Sequence, residues 1–149
     1  MTAHLPSITV TRRDHRRLMH TAECLAGQAH PLAAPLLREL RRATLCAPDE
    51  LPDDVVTLDT FVTYRIAGED KSENRMLIHP DDRIWPPAEL SILTPVGLSL
   101  FGLRAGDRMQ LSGTGGARVT WVEVDAVGPR ATGAFVPFGT AAPDRTGDS

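Results

Sequence analysis

The chain has 149 residues, 42% of them apolar and 23% charged, with a net charge of −3. That suits one ordinary domain, or a small domain with an appendage. No run approaches the roughly 18 apolar residues of a membrane helix, and the charged segment 12–17 leaves no apolar signal core, so a cytoplasmic protein without a membrane partner is expected.

The charge is unevenly spread. Residues 1–47 hold seven arginines against three acids, whereas acids outnumber bases in 48–149. Such asymmetry hints at a partner, although two solvated faces of opposite sign would look the same. After a short lead in which 8–10 is extended, Thr11 and Asp14 have the spacing of a capping box. A helix should follow to about Ala26, with Leu18, Ala22, Leu25 and Ala26 on one stripe. Gly27 to Pro31 breaks it, and a second helix should run over 32–45. Its stripe is Leu36, Leu37, Leu40 and Thr44, which leaves Arg38, Arg41 and Arg42 outward. So short a connection predicts an antiparallel hairpin. With its centre near Ala29, Cys46 lies opposite residue 12 or 13, about 16 Å along the axis from Cys24. That is too far for a disulfide, whose Cα atoms must approach within about 7 Å.

Residues 47–54 carry two prolines and four acids, which disfavour helix and strand interiors. A domain boundary belongs here. The second half then reads as five antiparallel strands: 55–66, 75–79, 89–94, 108–111 and 118–127. Pro95 ends the third strand, because proline cannot donate to a ladder. Leu98, Leu100, Phe101 and Leu103 form an apolar plug with one short helix, and Gly102 and Gly106 are its stops. Gly113 to Gly116 is a hairpin turn. The tail 139–149 is short of apolar residues and is expected to be disordered. The predicted organisation is therefore α+β: a helical hairpin over 1–47, a sheet domain over 48–138, and the tail.

Candidate chemistry is sparse. His20 and Cys24 share a helix face, but a zinc site needs more donors than that pair supplies. The glycine run 113–116 is followed by neither Lys-Ser/Thr nor a helix, so it is no phosphate cradle. The acid pairs 53–54 and 81–82 have no partner base. Ser91, Ser99 and Ser112 lack a nucleophile elbow. No enzyme, cofactor, metal site or small-molecule substrate is expected. What remains are binding features. The hairpin arginines suit an acidic protein surface or nucleic acid, the latter without aromatic residues for stacking. Trp85 with Pro86 and Pro87 suits a protein contact, since aromatics dominate binding hot spots; a tryptophan that merely caps the core is the competing reading.

Two blocks carry a resemblance to a family. Leu51-Pro-Asp-Asp-Val-Val-Thr-Leu-Asp59 resembles the start of the C-terminal domain of the GreA/GreB transcription elongation factors, and more closely that of the Rnk regulators of nucleoside diphosphate kinase. Leu93-Thr-Pro-Val-Gly-Leu-Ser-Leu-Phe-Gly-Leu-Arg-Ala-Gly-Asp107 resembles the family's proline–glycine signature. The segment 43–50 is similar to the Rnk linker. The resemblance implies an FKBP-like C-terminal domain behind a short antiparallel coiled coil. It also implies RNA polymerase as partner, docked beside the secondary channel, with any contact to DNA or RNA made through the polymerase. In the Gre factors, acids at the coiled-coil tip help to hold a metal for transcript cleavage. Here the tip, residues 27–31, has no Asp or Glu, and a carboxylate is what holds a hard cation.

The expected function is thus a non-enzymatic regulator of transcription that competes with Gre-type factors without stimulating cleavage. Pro95, Gly97, Leu98, Trp85, Arg38, Arg41 and Arg42 are the residues assigned to partner contact. Two alternatives stay open: a nucleic-acid module using the hairpin arginines, and a prolyl isomerase of the FKBP kind, for which aromatic residues are scarce.

Overall fold

A computed structural model of the chain describes residues 5–111 and 120–130. The turn expected at 113–116 and the tail expected from 139 lie outside these residues. The chain begins with a short strand, β1 (Thr9–Thr11), and enters helix α1 (Arg12–Gly27). Thr11 caps the helix, its Oγ1 accepting from the Asp14 amide at 3.1 Å. Only half of the capping box forms. The Asp14 carboxylate turns into the protein and accepts from the Thr57 hydroxyl at 3.2 Å.

Helix α2 (Ala33–Arg42) returns antiparallel, with the His15 ring 3.0 Å from the Leu40 carbonyl. Leu18, Ala22 and Leu25 of α1 are buried together with Leu36 and Leu40 of α2. The first helix runs one residue past the expected stop, and the left-handed residue at the tip is Ala29 (φ 56°) rather than a glycine. The second helix ends earlier than expected. Thr44 is not part of its stripe: residues Thr44–Cys46 form strand β2, parallel to β1, with Thr11 opposite Cys46. Cys46 thus lies at the far end of α1 from Cys24, and both thiols are free.

Arg42 also departs from its expected outward position. Its guanidinium donates to the carboxylate of Glu39 at 2.9–3.2 Å and to the Pro6 carbonyl. Glu39 is only 2% exposed, and a buried carboxylate needs a charged partner close by.

The second sheet has five strands in the order β5-β4-β3-β7-β6. They are β3 (Thr60–Ile66), β4 (Glu73–Ile78), β5 (Glu89–Ser91), β6 (Arg108–Gln110) and β7 (Trp121–Arg130). The expected strand over 55–66 is broken at Asp59, which adopts φ 62° and donates its amide to Leu77 at 2.7 Å. Before that break Val55 makes only a bridge to Arg104.

The sheet is mixed, not wholly antiparallel as expected, because β5 runs parallel to β4. A parallel neighbour cannot be reached by a tight turn and requires a crossover. Residues 79–88 are that crossover, built from two single turns of 3-10 helix at Pro80–Asp82 and Pro86–Ala88.

Helix α3 (Pro95–Leu100) starts on a proline, where a missing amide costs nothing. Thr94 caps it by accepting from the Gly97 amide at 3.0 Å, while its own hydroxyl donates to the Ser91 carbonyl at 2.7 Å. Leu98, Leu100, Phe101 and Leu103 are fully or almost fully buried.

One contact joins the segment before α1 to the turn that follows α3. Gly102 sits at φ 82°, and a Cβ there would lie 2.6 Å from the Cβ of Ile8. The Thr9 amide donates to the Gly102 carbonyl at 3.2 Å, and the Thr44 amide donates to Ile8 at 2.9 Å. Ile8 and Val10 therefore belong to the same core as both helices and the sheet.

Replacing Gly102 by Ala should lower stability by about 2 kcal/mol or more, from left-handed strain plus overlap. Urea melts of Gly102→Ala, alone and with Ile8→Gly, which removes the Cβ that a Cβ at 102 would meet, test this. If overlap contributes, the loss in the double variant is smaller than the sum of the two single losses.

Candidate protein-interaction surface

The crossover 79–88 carries the most exposed large apolar side chains among the described residues, Ile84 at 85% and Trp85 at 65%. Exposed apolar groups are common, but here the backbone that carries them is held in place. The Glu89 carboxylate accepts from the Ile84 amide at 3.0–3.1 Å and from the Trp85 amide at 2.9 Å. The Ala88 amide donates to the Trp85 carbonyl at 3.0 Å, and Pro86 and Pro87 stiffen the exit. A tryptophan on a bonded backbone segment has less backbone entropy to lose when a partner covers it, which suits a binding anchor.

Next to it lies a groove of about 280 Å³. Arg75, Arg83 and Glu89 line it with Ile78, Pro86, Leu90 and Thr94. Trp85 and Pro95 are the chain neighbours of two of its lining residues, Pro86 and Thr94.

The start of the crossover is fastened to α1. The Arg17 guanidinium donates to both carboxylate oxygens of Asp82, at 2.8 and 3.2 Å. His79 is buried. Its Nδ1 accepts from the Asp81 amide at 3.1 Å, and its Nε2 lies 2.9 Å from Thr21 Oγ1. Nδ1 as acceptor requires the proton on Nε2, which then donates to Thr21. The Thr21 hydroxyl passes its own proton to the Arg17 carbonyl at 3.1 Å. Every polar atom in this chain is satisfied with a neutral imidazole.

The electrostatics agree. Burial and then Arg17 push the His79 pKa below its ordinary value, outweighing Asp81 and Asp82. The hydrogen bond from Arg17 holds Asp82 below the usual carboxylate range. Asp59 is raised, first by burial and then by the charges of Asp82 and Asp14.

Among the predicted contact residues, Trp85 is exposed and Pro95 half-buried. Gly97 and Leu98 are buried. They shape the interior: a Cβ on Gly97 would overlap the Ser91 carbonyl. Arg38 and Arg41 are exposed on α2 and remote in sequence from the groove, and Arg42 is engaged with Glu39. Ile84, Arg83 and Glu89 had no sequence signal beyond their position around Trp-Pro-Pro. Among the described residues no three His, Cys, Asp or Glu side chains are placed to hold a metal. No helix there is long and apolar enough to cross a membrane.

Comparison with known proteins decides the family. Residues 6–45 match the model of the Rnk N-terminus, and residues 51–127 match that of the C-terminal region of transcription elongation factor GreA/GreB. Over 119 residues the chain is 35% identical to the regulator of nucleoside diphosphate kinase of Escherichia coli K12, covering 80% of this chain and 87% of that one. It matches the protein of the same name from Shigella flexneri to the same extent. The chain belongs to the Rnk family of GreA/GreB-type proteins. A solved prokaryotic transcription elongation factor GreA/GreB from Nitrosomonas europaea shares the fold. It has 32% identity and a TM-score of 0.64, over 82% of this chain and 98% of that one. In this Rnk-family chain the groove and Trp85 lie wholly within the segment matched to GreA/GreB, whereas Arg17 and Thr21 lie in the Rnk segment. The clasp at His79 therefore joins the two matched segments.

Because folding keeps His79 neutral, its contribution to stability is full above the unfolded-state pKa of about 6.5. It is lost as pH falls through that value toward the lower folded-state pKa. Replacing His79 by Asn keeps an acceptor for the Asp81 amide but removes the titration. Urea midpoints should therefore differ most between wild type and His79→Asn near pH 7.5, and the gap should narrow by pH 5.5.

Proposed function

We propose that this protein regulates transcription by docking on RNA polymerase through the face formed by Ile84, Trp85 and the groove that Thr94, next to Pro95, helps to line. The observation that carries the reading is the solvent-facing Trp85, fixed by Glu89, within a segment matched to the GreA/GreB C-terminal region. An exposed tryptophan on a bonded backbone, next to a groove lined by Arg75 and Arg83, suits a protein surface with an apolar ridge and flanking acids. Residues 1–47, read as a short coiled coil, and residues 48–138, read as an FKBP-like module, act as two parts of one regulator. The second part docks and the first faces the polymerase's channel.

The hairpin limits what docking can do. Helix α2 has only ten residues, and the tip, residues 27–31, lacks a carboxylate. His30, the titratable group at that tip, accepts from the Leu32 amide through Nδ1 at 3.0 Å. Without a carboxylate there is no hard-cation ligand to present to a transcript end. The protein competes with Gre-type factors and does not replace them.

Purified full-length protein should be retained by bacterial RNA polymerase, and Trp85→Ala should weaken retention by about tenfold or more. In halted elongation complexes it should leave cleavage at the basal rate and reduce the cleavage promoted by an added Gre factor. Stimulated cleavage would refute the competitor reading. Absence of retention would refute docking itself.

A further inference from the structure

The exposed side of α1 carries a second groove, of about 550 Å³, between the helix and strand β2. Arg12, Arg16, Met19 and His20 line one wall, Leu45 the other, and Glu23 stands at the far end. Among the described residues neither Arg12 nor Arg16 has an ion-pair partner, although Arg17 and Arg42 are both paired. His15 is spoken for by the Leu40 carbonyl.

Among the described residues strand β2 is an edge. Its one neighbour is β1, whose other side is covered by Gly102. The Thr44 amide donates to Ile8, and Leu45 is paired with Val10. Parallel ladders bond through alternate residues, so the N–H and C=O of Leu45 point away from β1 to the open edge. Paired residues share a face, and Val10 is fully buried in the core that holds Leu18 and Leu36. Leu45 shares that face yet is 38% exposed. A further strand laid beside β2 would continue the sheet over the outer wall of α1.

Here we infer that β2 accepts an extended acidic peptide from another protein, added as a third strand and held by Arg12 and Arg16. The spacings agree. Alternate residues of a strand are about 6.8 Å apart, and Arg12 and Arg16 are one turn apart, about 6 Å along the helix. Two acids at alternate positions therefore meet the two arginines. The next residue on that face is apolar and meets Met19 and Leu45. Glu23 repels a third acid. A second copy of this chain is excluded as occupant, since two edges brought together would set Arg12 and Arg16 against their own equivalents. A bare phosphate backbone would satisfy the arginines but neither Leu45's backbone nor the apolar floor. The site shares no residue with the Trp85 face and does not depend on polymerase docking.

A fluorescent peptide, Leu-Thr-Glu-Thr-Glu-Thr-Leu, tests this on the full-length protein, because it places the acids and apolar residues correctly in either direction. Saturable binding is expected, with slowed hydrogen exchange at the Leu45 amide. Its affinity should fall about tenfold or more in Arg12→Glu/Arg16→Glu, two exposed sites whose exchange does not touch the core. The same peptide with Lys for Glu should bind this variant in preference to wild type. Three outcomes overturn the inference: no saturable binding; binding without protection of Leu45; or displacement by oligothymidylate that itself binds with no effect on Leu45.

Discussion

Ile8 rests directly on Gly102, and the placement of both helices follows from that contact. Only strand β1 separates Ile8 from α1: once Ile8 is seated, Thr9 bonds to Gly102 and Thr44 bonds to Ile8. The return strand after α2 is thereby tied to the same point as the entry strand before α1. The hairpin is closed at its base by backbone hydrogen bonds rather than by a loop. Its apolar stripe and the sheet's inner face then share one core. Residue 102 can do this only as glycine, because both its φ of 82° and the Ile8 side chain exclude a Cβ.

With the base fixed, the rotation of α1 about its axis is set by a polar stripe. Asp14, Arg17 and Thr21 are spaced at three and four residues and lie on one face. They meet Thr57, Asp82 and His79 respectively. The apolar stripe Leu18, Ala22, Leu25 is the neighbouring face and meets α2. Each polar link is modest. The Arg17–Asp82 pair is about 40% exposed on both sides, and such pairs contribute about 0–1 kcal/mol. Their value lies in selecting one rotation among several that an apolar stripe alone would tolerate. The buried Asp14 and His79 add a penalty for every wrong rotation, since each would lose its partner in a place water does not reach.

What could be read from the sequence follows the range of the interactions involved. Leu18, Ala22, Leu25, Leu36 and Leu40 show themselves through period alone. Thr11 shows itself as a cap, and Pro95 through its missing amide. These are contacts within a turn or two of chain. The misreadings involve distant partners. Thr44 has the spacing of a helical residue, but its amide bonds to Ile8, thirty-six positions away. Arg42 has the look of a solvated arginine until Pro6 and Glu39 close on it. Residues 55–66 form an unbroken β-prone run, and the break at Asp59 arises where its amide reaches Leu77. The direction of β5 was invisible for a related reason: the prolines of 79–88 announce a loop but not whether the chain comes back parallel. Of the candidate surface, Trp85 was legible as a residue out of place. Glu89, which makes it an anchor, was not.

The same geometry accounts for the uneven charge. Seven arginines fall in the first 47 residues, yet they are not one population. Arg17 is consumed by Asp82, which ties α1 to the crossover, and Arg42 by Glu39 on its own helix. Because α1 cannot turn, Arg12 and Arg16 must face outward beside β2, while Arg38 and Arg41 face outward on α2. A helix free to roll could share its positive charge with the acidic half of the chain and neutralise it. The clasp at Asp14, Arg17 and Thr21 forbids that. It also fastens the base of the crossover that carries Trp85, so one set of contacts fixes the orientation of both exposed faces. A change that loosens His79 or Arg17 therefore acts on the tryptophan and on the basic groove together, although it touches neither.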